Sequence, residues 1–303
     1  MIPGSGSDTQ GKVQAGGTQS GEGAAREEVA SVPAWVFAGD EGPVERRQWV
    51  IKERPVTLYL NGGEIVTLLC AGHHLDELAA GFFYAEGFIG VREDILRFEI
   101  DESAGKVDVI TREVSTPANR MWMKRTITSG CGKGSLFYFS LDALLSKPVE
   151  SRLRVSPRQV QARIEDLNRL SDTYRRTHGV HNTILATPDE VVLFRDDIGR
   201  HNAVDMIIGH AVLHGVLLDD KMLVTTGRLT SEILIKIAKV GIPILVSRNT
   251  ATTLAVELAE ALNITLIGYA RAGRFTLYSG RDRVAENPRM QPGNPGESGP
   301  VES

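Results

Sequence analysis

Apolar and polar residues alternate over residues 55–60 and again over 64–69, with Asn61-Gly62 between the two runs. That dipeptide between alternating runs predicts a two-stranded hairpin with a tight turn. Leu75, Leu78, Ala79, Phe82 and Phe83 then recur at helical spacing. Asp76 and Glu77 suit the first turn of that helix and Gly87 its end. Further strands are expected within residues 98–109, which makes a small α+β unit. Ser156 and Pro157 are an N-cap and a first helical residue. Behind them Val160, Ile164, Leu167, Leu170 and Tyr174 form one apolar stripe, predicting a helix through residue 176. Its opposite face, with Arg158, Arg163, Glu165 and Arg169, is expected in solvent.

From residue 183 the pattern changes to short apolar runs separated by amphipathic segments. It predicts strands at 183–185, 191–195, 222–225, 242–246, 264–269 and 275–278, with helices at 203–214, 231–240 and 252–262. Strands alternating with helices predict a mainly parallel sheet covered on both faces. In such sheets ligands bind beyond the carboxyl ends of the strands.

Composition narrows the class. The chain has 303 residues, 42% of them hydrophobic and 24% charged, with a net charge of -4. Its mean hydropathy is -0.11. These are the values of a soluble globular protein of one large or two modest domains. They argue against a general nucleic-acid binder or a basic membrane-surface protein. No apolar run approaches the ~18 residues of a membrane span. No basic-then-apolar leader opens the chain, so a reducing cytoplasm is the expected address. Residues 1–27 and 287–303 are rich in glycine, proline and small polar residues and lack a core-forming pattern. The expected organisation is a mostly disordered segment 1–44, a small α+β domain 45–125, an α/β domain 126–282 and a disordered tail 283–303.

Two cysteines exclude a disulfide framework and a zinc site of three or four thiolates. Cys70 ends an apolar strand and is expected to behave as a small buried hydrophobe. Cys131 sits between glycines, with Lys124, Arg125 and Lys133 nearby to stabilise a thiolate. That setting suits a thiol that carries an acyl group or a sulfane sulfur. Three further segments, Thr226-Gly227-Arg228, Ser247-Arg248-Asn249-Thr250 and Arg271-Ala272-Gly273-Arg274, each follow a predicted strand and each hold an arginine. Together they point to a phosphate-bearing ligand, although no P-loop or G-x-G-x-x-G is present. His178, His181 and His201 invite a metal reading. Asp196, Asp197 and Asp205 are close enough in sequence to orient those imidazoles by hydrogen bonds instead.

These motifs resemble the formate dehydrogenase accessory sulfurtransferases, the FdhD/NarQ family. The resemblance runs through Glu53-Arg-Pro-Val, Leu75-Asp-Glu-Leu-Ala-Ala-Gly-Phe, Thr128-Ser-Gly-Cys-Gly, Gly179-Val-His and Asp197-Ile-Gly-Arg-His-Asn-Ala-Val-Asp. It continues through Gly227-Arg228 with Glu232 and Lys236, through residues 252–260, and through Gly268-Tyr-Ala-Arg-Ala-Gly-Arg. It implies a three-layer, cytidine-deaminase-like α/β domain without that fold's zinc, preceded by a smaller α+β domain. It implies a cytoplasmic homodimer with no permanently bound metal. The implied activity passes persulfide sulfur from a cysteine desulfurase to the metal of bis(molybdopterin guanine dinucleotide), which then serves formate dehydrogenase. Cys131 takes the persulfide position. Tyr269, Ala270, Arg271, Ala272, Gly273 and Arg274 take the cofactor-binding positions, with Arg228 added from its strand-end loop. Many members of the family have a second cysteine where Gly134 stands here, and often a serine in place of Asn249. Two other functions compete, a cofactor-binding chaperone without persulfide chemistry and a metal-dependent hydrolase using the three histidines.

Overall fold

A computed structural model describes residues 28–112 and 147–285. Strands β1 (Val29–Val36) and β2 (Val44–Ile51) form an antiparallel pair at the start. Order therefore begins well ahead of the expected Glu45. β2 was not legible because its exposed residues do not alternate, and it is fastened from afar: the Arg176 guanidinium lies 4.4 Å from the Trp49 ring centroid.

A four-stranded sheet follows, in the order β4-β3-β6-β5. Its strands are β3 (Arg54–Leu60), β4 (Gly63–Cys70), β5 (Ile95–Asp101) and β6 (Lys106–Thr111). Asn61 and Gly62, at φ 51 and 79, make the expected turn between β3 and β4. Helix α1 (Leu75–Ala85) buries Leu75, Leu78, Phe82 and Phe83 against this sheet.

The second sheet has six strands in the order β12-β11-β10-β9-β7-β8. They are β7 (His181–Ala186), β8 (Val191–Asp197), β9 (Met222–Thr225), β10 (Ile244–Ser247), β11 (Thr265–Arg271) and β12 (Arg274–Ser279). Helices α4 (Arg200–His214), α5 (Ser231–Val240) and α6 (Thr253–Ala261) pack on one face, against Leu185, Leu223, Leu245 and Leu266. Helix α2 (Pro157–Leu170) covers the other face, against Ile184, Val224, Ile244 and Ile267. Alternate strand residues thus serve opposite helix layers, as the period of two requires.

The expected mainly parallel sheet needs correction. β9, β10 and β11 are parallel, but β7, β8 and β12 each pair antiparallel with a neighbour. Hydrophobic pattern reports burial and carries no strand direction. The expected helix 157–176 is also two helices. Ser171 interrupts it, and its hydroxyl accepts from Tyr174 N to cap α3 (Asp172–Thr177). The start of α2 is as expected, with Ser156 Oγ accepting from Gln159 N at 3.2 Å and Gln159 Oε1 accepting from Ser156 N at 2.9 Å. Arg163, expected in solvent, is buried and pairs with Asp166 at 2.7 Å.

The two sheets are joined through α1 and α4. Gly81 and Gly209 face each other at the crossing, where a Cβ on Gly209 would lie 1.8 Å from Glu77 O. Glu77 is more than a first-turn acid. It is buried, takes a bidentate contact from Arg195 (2.6 and 2.7 Å), and accepts from or shares a proton with His210 Nδ1 at 2.8 Å. Burial works against its carboxylate, but Arg195 and His210 outweigh it and hold its pKa below the ordinary glutamate value. Asp197 adds a second tie. It accepts from Ala71 N (2.7 Å), Gly199 N (2.8 Å) and Asn202 Nδ2 (2.7 Å). No helix among the described residues is long and apolar enough to cross a membrane.

Candidate anion-binding site at the sheet edge

β9, β10 and β11 are adjacent and parallel, so the loops that follow them leave the sheet at one edge. These are the three arginine-bearing segments. The structure also knits them together. Arg248 N donates to Thr225 O (3.2 Å), Leu229 N to Thr250 O (3.0 Å), Thr252 N to Leu229 O (3.0 Å) and Tyr269 N to Asn249 O (3.0 Å). Ser247 Oγ donates to Gly227 O at 2.6 Å. Strand direction brings a fourth segment here. β7 runs against β9, which sets Thr183 opposite Thr225, and β8 runs against β7, which sets Asp197 opposite His181. The start of β7 and the turn from β8 into α4 therefore share the same edge.

The hairpin tip between β11 and β12 carries the cofactor-binding residues that the resemblance implies. Ala272 and Gly273, both at positive φ, turn the chain, and Arg271 pairs with Arg274 across the turn. Tyr269 also has positive φ, beside an irregularity in the β11–β12 register. Gly268 permits the close approach of the Asn249 loop, since a Cβ there would lie 2.9 Å from Asn249 O. Tyr269, Arg271, Ala272 and Arg274, with Phe275 and Thr276, line a groove of about 410 Å³. Ala270 is buried on the α2 side of the sheet and does not line that groove.

Arg228 is exposed and belongs to a different part of the edge. With β10 between β9 and β11, the loops after β9 and β11 stand two strand spacings apart, about 10 Å. Arg228 instead neighbours Arg200 and His181. Burial and the charges of Arg200, His201 and Arg228 all lower the His181 pKa. The His181 Nδ1 lies 3.3 Å from Thr226 Oγ1, and His201 Nε2 lies 2.9 Å from Glu232 Oε2.

The three aspartates do not orient the imidazoles. Asp197 ties the sheets together, Asp196 accepts from Ser171 Oγ at 2.9 Å, and Asp205 pairs with Lys236 Nζ at 2.6 and 2.7 Å. The partners that matter, Thr226 and Glu232, come from another loop and helix. Nor do the three histidines form one cluster of potential ligands. His178 is an exposed helix cap stacked edge-on to Tyr174. Among the described residues the group of three close metal-ligating side chains is Glu77, His210 and His214, and Glu77 is already held by Arg195. His210 and His214 stand four residues apart on α4, but Glu77 comes from α1, so only the fold completes the group.

Cys70 is fully buried. Its Sγ lies 3.7 Å from Arg54 O, and burial pushes its pKa up to about 12. It behaves as the small hydrophobe expected. Cys131, with Lys124, Arg125, Lys133 and Gly134, lies outside the described residues, as does the expected domain boundary at residues 125 and 126.

A layered α/β protein with a basic, hydrogen-bonded loop edge is the class these features define. The chain belongs to the FdhD/NarQ family, whose model matches residues 51–285. A sulfur carrier protein FdhD from Bacillus subtilis (strain 168) is 42% identical over 248 residues, covering 82% of this chain and 94% of that protein. The protein of the same name from Bacillus pumilus (strain SAFR-032) is 41% identical, covering 78% and 90%. A crystal structure described as that of a formate dehydrogenase accessory protein from Desulfotalea psychrophila aligns with a TM-score of 0.72 at 25% identity. It covers 85% of this chain and 100% of that one.

Proposed function

We propose that this protein carries sulfane sulfur on Cys131 from a cysteine desulfurase to the metal of bis(molybdopterin guanine dinucleotide), for the maturation of a formate dehydrogenase. Loading breaks the S–S bond of the desulfurase persulfide. The Cys131 thiolate attacks the terminal sulfur and the desulfurase cysteine leaves as its thiolate. The observation that carries this reading is the state of Cys70. The chain has two cysteines, and a fully buried thiol with a pKa near 12 supplies almost no thiolate. Sulfur carriage thus falls to Cys131. The relatives' name agrees with it, as does a basic edge suited to a nucleotide-bearing ligand. The cytidine-deaminase-like assignment of the layered domain is part of the same proposal.

Mass spectrometry after incubation with a desulfurase and cysteine tests it. One added sulfur is expected on the Cys131 peptide and none on the Cys70 peptide. Sulfur on Cys70 alone overturns the assignment to Cys131, and a Cys131→Ala variant that still matures formate dehydrogenase overturns the carrier role and leaves cofactor delivery without persulfide chemistry.

The hairpin tip gives a second measurable consequence. Guanidinium forks bind phosphate through charge-assisted hydrogen bonds worth roughly 1.5–3 kcal/mol each. Arg274→Ala is expected to weaken GDP binding by about tenfold or more, and added salt to weaken the wild type. A GDP affinity that ignores both changes removes the tip from the binding site.

A further inference from the structure

The edge holds a second cluster of cations that the hairpin-tip groove does not use. Arg200 is the first residue of α4, and its stem lies across the β9–α5 loop. A Cβ on Gly227 would meet Arg200 Cβ at 2.9 Å and Cδ at 3.2 Å. This contact carries the Arg200 side chain onto the loop that bears Arg228. Arg200 Nε is buried there without a hydrogen-bond partner. His181 enters from the start of β7, beside Thr226. Helices α4 and α5 both begin at this place, behind Gly199 and Thr230, and neither cap residue bonds its helix through a side chain.

We propose that Arg200, Arg228 and His181 form an anion subsite at the β9 end of the edge, which takes a phosphate or comparable oxyanion group distinct from the one at the hairpin tip. The packing of Arg200 on Gly227, its buried and unpartnered Nε, and His181 beside Thr226 set three cationic side chains around one loop. Burial and then Arg228 lower the Arg200 pKa, and Glu232 alone opposes them. Glu232 is itself engaged by His201. Arg200 thus meets Arg228 on the same loop with only a carboxylate that His201 already engages to oppose it. Gathering them costs free energy in the empty protein, and a bound anion offsets it. The free N–H groups of two helix starts add to the same field.

The spacing constrains the ligand. Two subsites about 10 Å apart cannot both be filled by adjacent phosphates of one diphosphate. A ligand that uses both must carry separated anionic groups on an extended frame. The identification of that ligand as the guanine-dinucleotide cofactor rests on the function proposed above, whereas the subsite rests on the residues named here.

The test uses full-length protein and inorganic phosphate at low ionic strength. In an Arg271→Ala/Arg274→Ala background the hairpin tip is disabled, and phosphate is still expected to bind. Binding should raise the His181 pKa, followed by imidazole NMR, because an adjacent anion favours the charged ring. Adding Arg200→Gln or Arg228→Gln should weaken phosphate by about tenfold or more and abolish the His181 response. Arg228 is exposed, so a folding defect does not explain its effect. No phosphate binding in the background variant, or equal binding after both glutamine changes, overturns the subsite. Failure of GDP to bind the wild type bears instead on the proposed cofactor.

Discussion

Gly209→Ala is expected to lower the unfolding free energy by about 3 kcal/mol, the upper end of ordinary overpacking. Gly209 lies inside α4 and Gly81 inside α1. In an exposed helix interior the same change is expected to help, by roughly 0.5–1 kcal/mol, because alanine loses less backbone entropy than glycine. Here the new methyl would lie 1.8 Å from Glu77 O, and the matching methyl on Gly81 would lie 1.8 Å from Asp205 O. Both obstacles are backbone atoms, so no rotamer change relieves them and the helices must part. Parting them withdraws Met206 of α4 from the core of the four-stranded sheet. It also strains Glu77 against His210 and Lys239 against Ala85 O. Urea unfolding with tryptophan fluorescence measures the effect. A midpoint equal to or above that of wild type shows that the helices do not cross this closely.

The sequence made some of this legible and not the rest, and the division follows the range of the interactions. The Asn61-Gly62 turn and the Ser156 cap of α2 depend on a few neighbouring residues, so local chemistry reveals them. The three arginine loops were visible because strand ends punctuate the pattern. Their hydrogen bonding to one another was not, since it depends on strand order. Glu77 reads locally as a helix-start acid, yet its arginine partner is 118 positions away. Arg163 reads as a surface residue, but Asp166 one turn on neutralises its buried head. α4 begins three residues before its apolar pattern, because Arg200, His201 and Asn202 serve the edge and the tie between the sheets. Arg228 was grouped with Arg271 and Arg274 because all three follow strands. The sheet order divides them, and only that order puts Arg228 beside Arg200 and His181.

Lys236→Met is expected to cost about 3–5 kcal/mol at neutral pH, because it leaves a buried carboxylate without its counter-charge. Lys236 Nζ holds both oxygens of Asp205, at 2.6 and 2.7 Å, and both residues are buried. Burial disfavours the Lys236 ammonium, but the Asp205 carboxylate outweighs that and raises its pKa above the lysine value of 10.5. Lys236 is therefore charged across the neutral range. Burial already raises the Asp205 pKa in the wild type against the pull of Lys236; in the variant the carboxyl keeps its burial, loses the cation and is raised further above the unfolded chain. The folded state then binds the extra proton, and stability falls as the pH rises. The deficit relative to wild type should be small below the ordinary aspartate value of 3.8 and should widen toward neutrality. Adding Asp205→Asn to Lys236→Met removes the charge while nearly keeping the volume, and should recover much of the loss. This ordering separates charge from packing. If lost methylene contacts were the cause, the double variant would be no better than the single one and the deficit would not vary with pH. Chemical unfolding of the wild type and both variants between acid and neutral pH decides between them. A Lys236→Met protein as stable as wild type at neutral pH would mean that the pair does not carry opposite charges in the folded state.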